Sequence, residues 1–324
     1  MKNQTSRLLL RLAEPRCWVV ILACVVCRCL GTPAVASAWS SNDETRAADL
    51  QEVKTLTRQH RWSEAATEIE VLLKQHPADP QLLYLQGVVR FKQTDNIGAI
   101  MAFRSAERQG LNTEELHKSL GLAYWQIHQY GLFERQMKSA IQINPSDYEP
   151  YYALARHLQS INESCTQAEE LLAKAIQLKP DEPKIIFSLG VCQEMSGHRA
   201  DAMSTYVKAM QMVEAKHEKY SWPFQEMARL LLAQDPEQAL KLAQRAVELA
   251  PDLDAAHQIL AKVEDVMGNY PQAISDLLSA ARLDPSNPSP HYALFLLYTK
   301  THDPEAARAQ LKEFEELNAL YAQR

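Results

Sequence analysis

Glycine is scarce in this chain, with nine residues in 324. A large β-sandwich or a phosphate-cradling enzyme uses glycine for turns, bulges and close backbone approach, so both classes start at a disadvantage and helices are favoured. Cysteine is scarcer still where it would count. Of six, Cys17, Cys24, Cys27 and Cys29 fall within the first 38 residues, leaving only Cys165 and Cys192, which is neither a disulfide framework nor a metal quartet. Surplus positive charge is also missing. The net charge of -6 argues against nucleic acid as a partner, because proteins that bind phosphate backbones usually present a basic surface. What the chain does have is a globular balance of 46% hydrophobic and 23% charged residues.

The amino terminus stands apart from the rest. Lys2, Arg7, Arg11 and Arg16 face a single Glu14, an uncharged apolar run follows from Cys17 to Cys27, and Ala36 and Ala38 form the A-x-A arrangement accepted by signal peptidase. Residues 1–38 therefore read as a cleavable signal peptide, and the chain as secreted or periplasmic. The apolar run covers about half of the roughly 20 residues of a spanning helix, so a signal anchor is the weaker reading. Residues 39–45 read as a short linker. Removal of 1–38 takes away five basic residues and one acidic residue, which moves the net charge from -6 to -10.

The remainder is periodic. Pro77, Pro145, Pro180, Pro251 and Pro285 are separated by one or two units of about 34 residues. Ala65, Phe133, Ala168, Ala239 and Ala273 stand twelve residues before them, and Leu72, Ala140, Ala175, Ala246 and Ala280 stand five before. Between the markers the apolar spacing is helical: Ala168, Leu171, Leu172, Ala175 and Ile176 make a single stripe. Asp79, Glu182, Asp235 and Asp303 each precede a proline, placing an acidic cap ahead of a first-turn proline. Gly197 and Gly268 suit the left-handed stop between two helices.

A two-helix unit of this period resembles the tetratricopeptide repeat. The residues that carry the resemblance are Leu120, Gly121, Tyr124, Ala140 and Pro145 in one unit, Leu189, Gly190, Ala202, Tyr206 and Ala209 in another, and Gly87, Ala99, Phe103 and Ala106 in a third. In that register eight units begin near Arg46, Pro80, Glu114, Tyr148, Pro183, Ser221, Asp254 and Pro288, so residues 46–324 are expected to form one tetratricopeptide-repeat solenoid. The resemblance implies an all-α fold, a right-handed superhelix of about eight antiparallel helix pairs. Val53, Phe295 and Phe314 depart from the pattern at the two ends, as terminal repeats do. The charged stretch from Glu214 to Tyr220 is an insertion, expected to lengthen the turn between the fifth and sixth units.

No phosphate loop, H-E-x-x-H helix, G-x-S-x-G elbow or paired cysteine motif occurs after residue 38, so neither a catalytic residue, a cofactor nor a metal site is expected. The ten histidines are scattered and read as surface or packing residues. In relatives of this repeat family the first helix of each unit lines a concave groove that holds extended peptides. Carried over unit by unit, that places Tyr84 and Phe91, Lys118 and Trp125, Tyr152 and Arg156, Phe187, Arg229 and Lys262 inward. Rings beside cations make a peptide-binding surface, although the same rings can pack between helices instead. The carboxylate clamp of chaperone-binding relatives is not reproduced, since Leu50 and Lys54 occupy its first pair. The expected function is a non-enzymatic scaffold or adaptor of the cell envelope that binds a protein or peptide partner. The alternative is a carrier of a glycan or lipid-linked envelope precursor. Proximity to a membrane is compatible with either, with no spanning helix once the signal is removed. Cys165 and Cys192, in adjacent units, are a candidate disulfide, and Asn162-Glu163-Ser164 spells an N-glycosylation acceptor.

Overall fold

The computed structural model describes residues 33–161 and 165–321. The glycosylation acceptor and most of the signal segment lie outside them. Two compact units divide between Asn112 and Thr113. The division falls in the turn opened by Gly110, whose φ of 90° is a left-handed conformation. In the first unit α1 (Pro33–Arg58) pairs with α2 (Trp62–Gln75), and α3 (Pro80–Lys92) with α4 (Asn96–Arg108). The second unit repeats the alternation six times. There α5 (Glu114–Gln126) pairs with α6 (Tyr130–Ile143), α7 (Glu149–Ser160) with α8 (Cys165–Leu178), and α9 (Pro183–Met195) with α10 (Arg199–Lys216). The remaining pairs are α11 (Trp222–Leu231) with α12 (Pro236–Leu249), α13 (Asp254–Met267) with α14 (Tyr270–Leu283), and α15 (Ser289–Lys300) with α16 (Pro304–Tyr321). This is an all-α solenoid architecture, and no strand occurs among the described residues.

Small residues at fixed phase let the helices approach. Ala65, Ala99, Ala168, Ala202, Ala239 and Ala273 in the second helices are wholly buried, as are Ala106, Ala140, Ala175, Ala209, Ala246 and Ala280 one to two turns further on. Six of the turns between paired helices are closed the same way. His60, Thr94, His128, Gly197, Gly268 and His302 adopt φ between 58° and 81°, and the following amide reaches back across the turn, as Gln129 N does to Tyr124 O at 2.9 Å and Asn269 N to Glu264 O at 2.8 Å. Only two of these six positions use glycine.

Caps start the helices. Asp79 accepts from the amides of Gln81 at 2.8 Å and Leu82 at 3.3 Å, and Asp235 from Gln238 at 3.0 Å. Glu182 does not cap α9, contrary to its expected role; its longer side chain overshoots the first-turn amides and leaves Oε1 buried without a hydrogen bond. Residues 39–45 are not a linker. They continue α1, since no proline or glycine interrupts the chain between Pro33 and Arg58. The insertion likewise lengthens a helix before it lengthens a turn: α10 runs 18 residues against 13 to 14 for α4, α6 and α8, and stops at His217 with φ 54°.

Candidate functional site

The residues expected to line a groove meet different fates. On the first unit, Tyr84 of α3 is half-buried with its ring centroid 5.7 Å from that of Phe103 on α4, and Phe91 is half-buried near the end of α3. On the second unit, Lys118 of α5 is already occupied: its ammonium lies 3.1 Å from Glu114, 2.7 Å from Asp147 and 2.8 Å from Glu149. Burial alone would lower its pKa, but the three carboxylates outweigh burial and raise it. Trp125 is wedged among Phe133 at 5.0 Å, Tyr130 at 5.1 Å and His157 at 5.3 Å, which makes it a packing residue between helices. Phe187 is buried, with Tyr206 of α10 at 5.5 Å and Tyr220 from the insertion at 5.8 Å. It belongs to the core rather than to an open groove, because the insertion folds Tyr220 onto it.

Tyr152 and Arg156 of α7 present a different picture. Arg156 is exposed, its guanidinium stands 6.0 Å from the Tyr152 ring centre, and Nη1 donates to Tyr152 Oη at 3.2 Å. They make a small cationic and aromatic surface one turn long.

The pronounced concavity lies further along, on α11, α13 and α15. It is a cleft of about 610 Å³. Trp222, Gln225, Glu226 and Arg229 form one wall, Gln258, Ile259, Lys262 and Asp265 the middle, and Leu296, Leu297 and Lys300 the far side, with Ala255, Ala261, Ala293 and Leu277 in the floor. Its size and mostly apolar lining suit an extended segment or a small ligand. The polar groups are arranged with a repeat. Gln225 Nε2 donates to Ser221 Oγ at 2.9 Å and Gln258 Nε2 to Asp254 Oδ2 at 2.9 Å, the same four-residue step in neighbouring units.

Two of the three cations in the cleft are spent. Arg229 pairs with Glu226 at 2.6 Å and with Glu194 of α9, and those carboxylates overcome burial to raise its pKa. Lys300 lies 2.7 Å from Asp265 and 4.9 Å from the Tyr270 ring centre, and its hydrogen bond to Asp265 raises its pKa. Lys262 is exposed and makes no ion pair among the described residues. It is the group in the cleft best placed to meet a carboxylate from outside.

Arg229 and Lys262 were visible from the repeat register. Trp222, Ile259, Leu296 and Lys300 were not, although Leu296 stands at the phase of Arg229 and Lys262. The insertion had blurred the start of the sixth unit, and with it the inward phase of Trp222. Three histidines are also more than scattered residues. His117 Nδ1 lies 2.6 Å from Gln136, His257 Nδ1 2.7 Å from Asp276 and His291 Nδ1 2.8 Å from Gln310, each joining the first helix of a unit to its second across 19 residues.

Cys165 and Cys192 are free thiols, not a disulfide. Cys192 is fully buried in the cluster of Ala155, Leu172 and Ile185 and accepts a hydrogen bond from Gln159 Nε2 at 3.2 Å, so it acts as a small core residue. Burial pushes its thiol up to about 12. Among the described residues no His, Cys, Asp or Glu group is placed to hold a metal ion, and no helix is long and apolar enough to cross a membrane.

Comparison with known proteins agrees with this fold. The family model described as the tetratricopeptide repeat matches residues 50–112 and 227–288. The chain is similar in fold to a tetratricopeptide repeat protein from Parabacteroides merdae, with a TM-score of 0.62 at 11% identity over 83% of this chain and 99% of that one. It is similar as well to yeast Tom70, with a TM-score of 0.60 at 18% identity, covering 79% of this chain and 55% of that one. Part of a repeat-containing protein from Cytophaga hutchinsonii gives 0.52 at 16% identity, over 74% of this chain and 97% of that one. No curated protein matches the sequence.

Proposed function

We propose that this chain is a tetratricopeptide-repeat protein acting as a non-enzymatic scaffold or adaptor of the cell envelope, and that it holds an extended peptide segment of a partner protein in the cleft of α11, α13 and α15. The observation that carries the reading is the cleft itself: three successive first helices, an apolar floor, and Lys262 left unpaired among them. The apolar floor favours a bulky apolar side chain, and Lys262 favours an acidic one within a few residues of it. The location rests on residues 1–38, and amino-terminal sequencing of the exported chain should begin at or near Trp39; an intact Met1 in the membrane fraction would favour an anchor. The glycan reading has less support. It needs open aromatic faces, whereas Trp125 and Phe187 are engaged in packing, leaving Trp222 as the ring in the cleft.

The test is selection from a random peptide library displayed on phage, with counter-selection on a Trp222→Ala, Lys262→Glu double variant. Peptides combining an acidic and a bulky apolar residue should be recovered, and by calorimetry should bind the variant at least about tenfold more weakly, the loss of one charge-assisted contact. Thermal melts should show the variant folded. Peptides that bind both forms equally would move the site elsewhere.

A further inference from the structure

The α13 helix that forms the middle of the cleft carries an unusual group on its other side. Glu264 is buried, and its Oε2 has no hydrogen-bond partner. The group beside it is another carboxylate, Asp276 of α14, whose charge opposes a second one on Glu264. Burial, and after it the negative charge of Asp276, push the Glu264 carboxyl up to about 7.

His257, also on α13, completes the group. Its Nδ1 lies 2.7 Å from Asp276 Oδ1 and its Nε2 3.1 Å from the carbonyl oxygen of Pro251. The ring thereby ties Asp276 of α14 to α13, beside Glu264.

Several charged groups on the elements packed around α13 are engaged elsewhere, while Lys241 of α12 and Arg282 of α14 are exposed, the latter donating to Leu278 O and Ser279 Oγ. On α15, Lys300 pairs with Asp265; on α11, Arg229 pairs with Glu226 and Glu194; on α12, Arg245 pairs with Glu214 and Glu248. Lys262 of α13 itself lines the cleft. A negative charge appearing on Glu264 would meet Asp276 with no cation of its own to answer it.

We propose that Glu264, set beside the His257–Asp276 bond, forms a proton-operated latch between α13 and α14, which packs the middle wall of the cleft tightly while the Glu264 proton is held and loosens it when that proton is lost to solvent. A carboxyl that is protonated when packed and ionised when open favours the packed state at low pH. That advantage disappears as pH rises from the ordinary carboxyl value toward about 7. Alkaline conditions therefore loosen the seventh helix pair. Its consequence for partner binding rests on the cleft being the binding site; the latch itself does not.

The experiment is hydrogen exchange of the full chain read by mass spectrometry at pH 5.5, 7.0 and 8.5, with labelling times scaled for the intrinsic rate. Peptides from α9 and α10 serve as the internal reference. Opening of α13 and α14 should rise about thirtyfold relative to the reference between pH 5.5 and 8.5, from the Glu264 proton alone. Glu264→Gln keeps a donor toward Asp276 and removes the charge, and should abolish most of that slope. Asp276→Asn removes the opposing charge and should flatten it independently, which keeps the test open if the first variant folds poorly. Exchange in α13 and α14 that follows the reference at every pH, or a slope unchanged in both variants, overturns the latch. Failure of the peptide selection with the slope present would sink the cleft reading and leave the latch standing.

Discussion

Gly87, Gly121 and Gly190 occupy one phase of the repeat, but they should respond differently to the same substitution. A Cβ added at Gly190 would sit 2.5 Å from Tyr206 Cε1 and 2.7 Å from Cδ1, on a fully buried ring whose hydroxyl is tied to Glu194 at 3.0 Å. A Cβ at Gly87 would sit 2.5 Å from both Cδ1 and Cε1 of buried Phe103. At Gly121 the atom met is the terminal methyl of Met137, with Gln136 Cβ next at 3.3 Å. A methionine end rotates away cheaply, whereas an anchored ring moves only with its helix. Alanine gains about 1 kcal/mol over glycine in a helix interior, and overpacking costs about 1–3 kcal/mol. The balance for Gly190→Ala is a net loss of about 1–2 kcal/mol, for Gly87→Ala a smaller loss, and for Gly121→Ala a change between zero and a gain of about 1 kcal/mol. Urea unfolding followed by circular dichroism would rank the three. Equal destabilisation of Gly121→Ala and Gly190→Ala would refute the argument, since the rigidity of the facing side chain would then decide nothing.

Lys118→Ala should destabilise the chain by about 1–3 kcal/mol, because it leaves Glu114, Asp147 and Glu149 facing one another, whereas Arg156→Ala should shift the melt by less than about 0.5 kcal/mol; thermal melts compare them. At Asp79 burial alone would raise the carboxyl, but Arg46 and the amides of Gln81 and Leu82 outweigh it and hold it below the usual carboxylate range. A depressed folded value means that its stabilisation is full above the ordinary value and is lost as pH falls through the folded one, so Asp79→Ala should cost about 1–2 kcal/mol at pH 7 and progressively less in acid, measured by urea titration at each pH. His217→Gly should stabilise the end of α10 by about 0.5–1 kcal/mol, because φ 54° strains any side chain bearing a Cβ; slower exchange of the last turn of α10 would register it.

Much of the fold was legible because the repeat writes it several times over. A buried alanine every 34 residues or so is a steric requirement met identically in each unit, so the period survives local noise. Caps were legible where the acid was aspartate. The left-handed turns were legible at Gly197 and Gly268 but not at His60, Thr94, His128 and His302, where no glycine signals them. The histidine links across paired helices were missed for a related reason. His117, His257 and His291 share a phase, but their partners are Gln136, Asp276 and Gln310, so the His–Gln pair occurs only twice, in the third and eighth units, with an aspartate in the seventh. The groove was the least legible part. Register gives the phase of a side chain, and phase alone does not say what a neighbouring unit or an insertion places on top of it.

Within the second unit, the position of the cleft follows from volume. Along α7 and α9 the inward phases carry Tyr152, Arg156 and Phe187, and the insertion adds Tyr220 over them with Lys184 6.0 Å from its ring centre. Large side chains fill the concave side there and satisfy one another. From α11 onward the floor residues shrink to Ala255, Ala261 and Ala293, and the phase held by Tyr152 and Phe187 passes to Gln225 and Gln258. Alanines cannot reach across the space between first helices, and the two glutamines are drawn back along their own helices by bonds to Ser221 and Asp254. The concavity is therefore left open, with an exposed tryptophan at one side and an unpaired lysine in its middle. Leaving apolar surface and a cation uncovered in this way gains the free chain nothing in stability, and the gain comes only when a segment with matching apolar and acidic side chains lies across it.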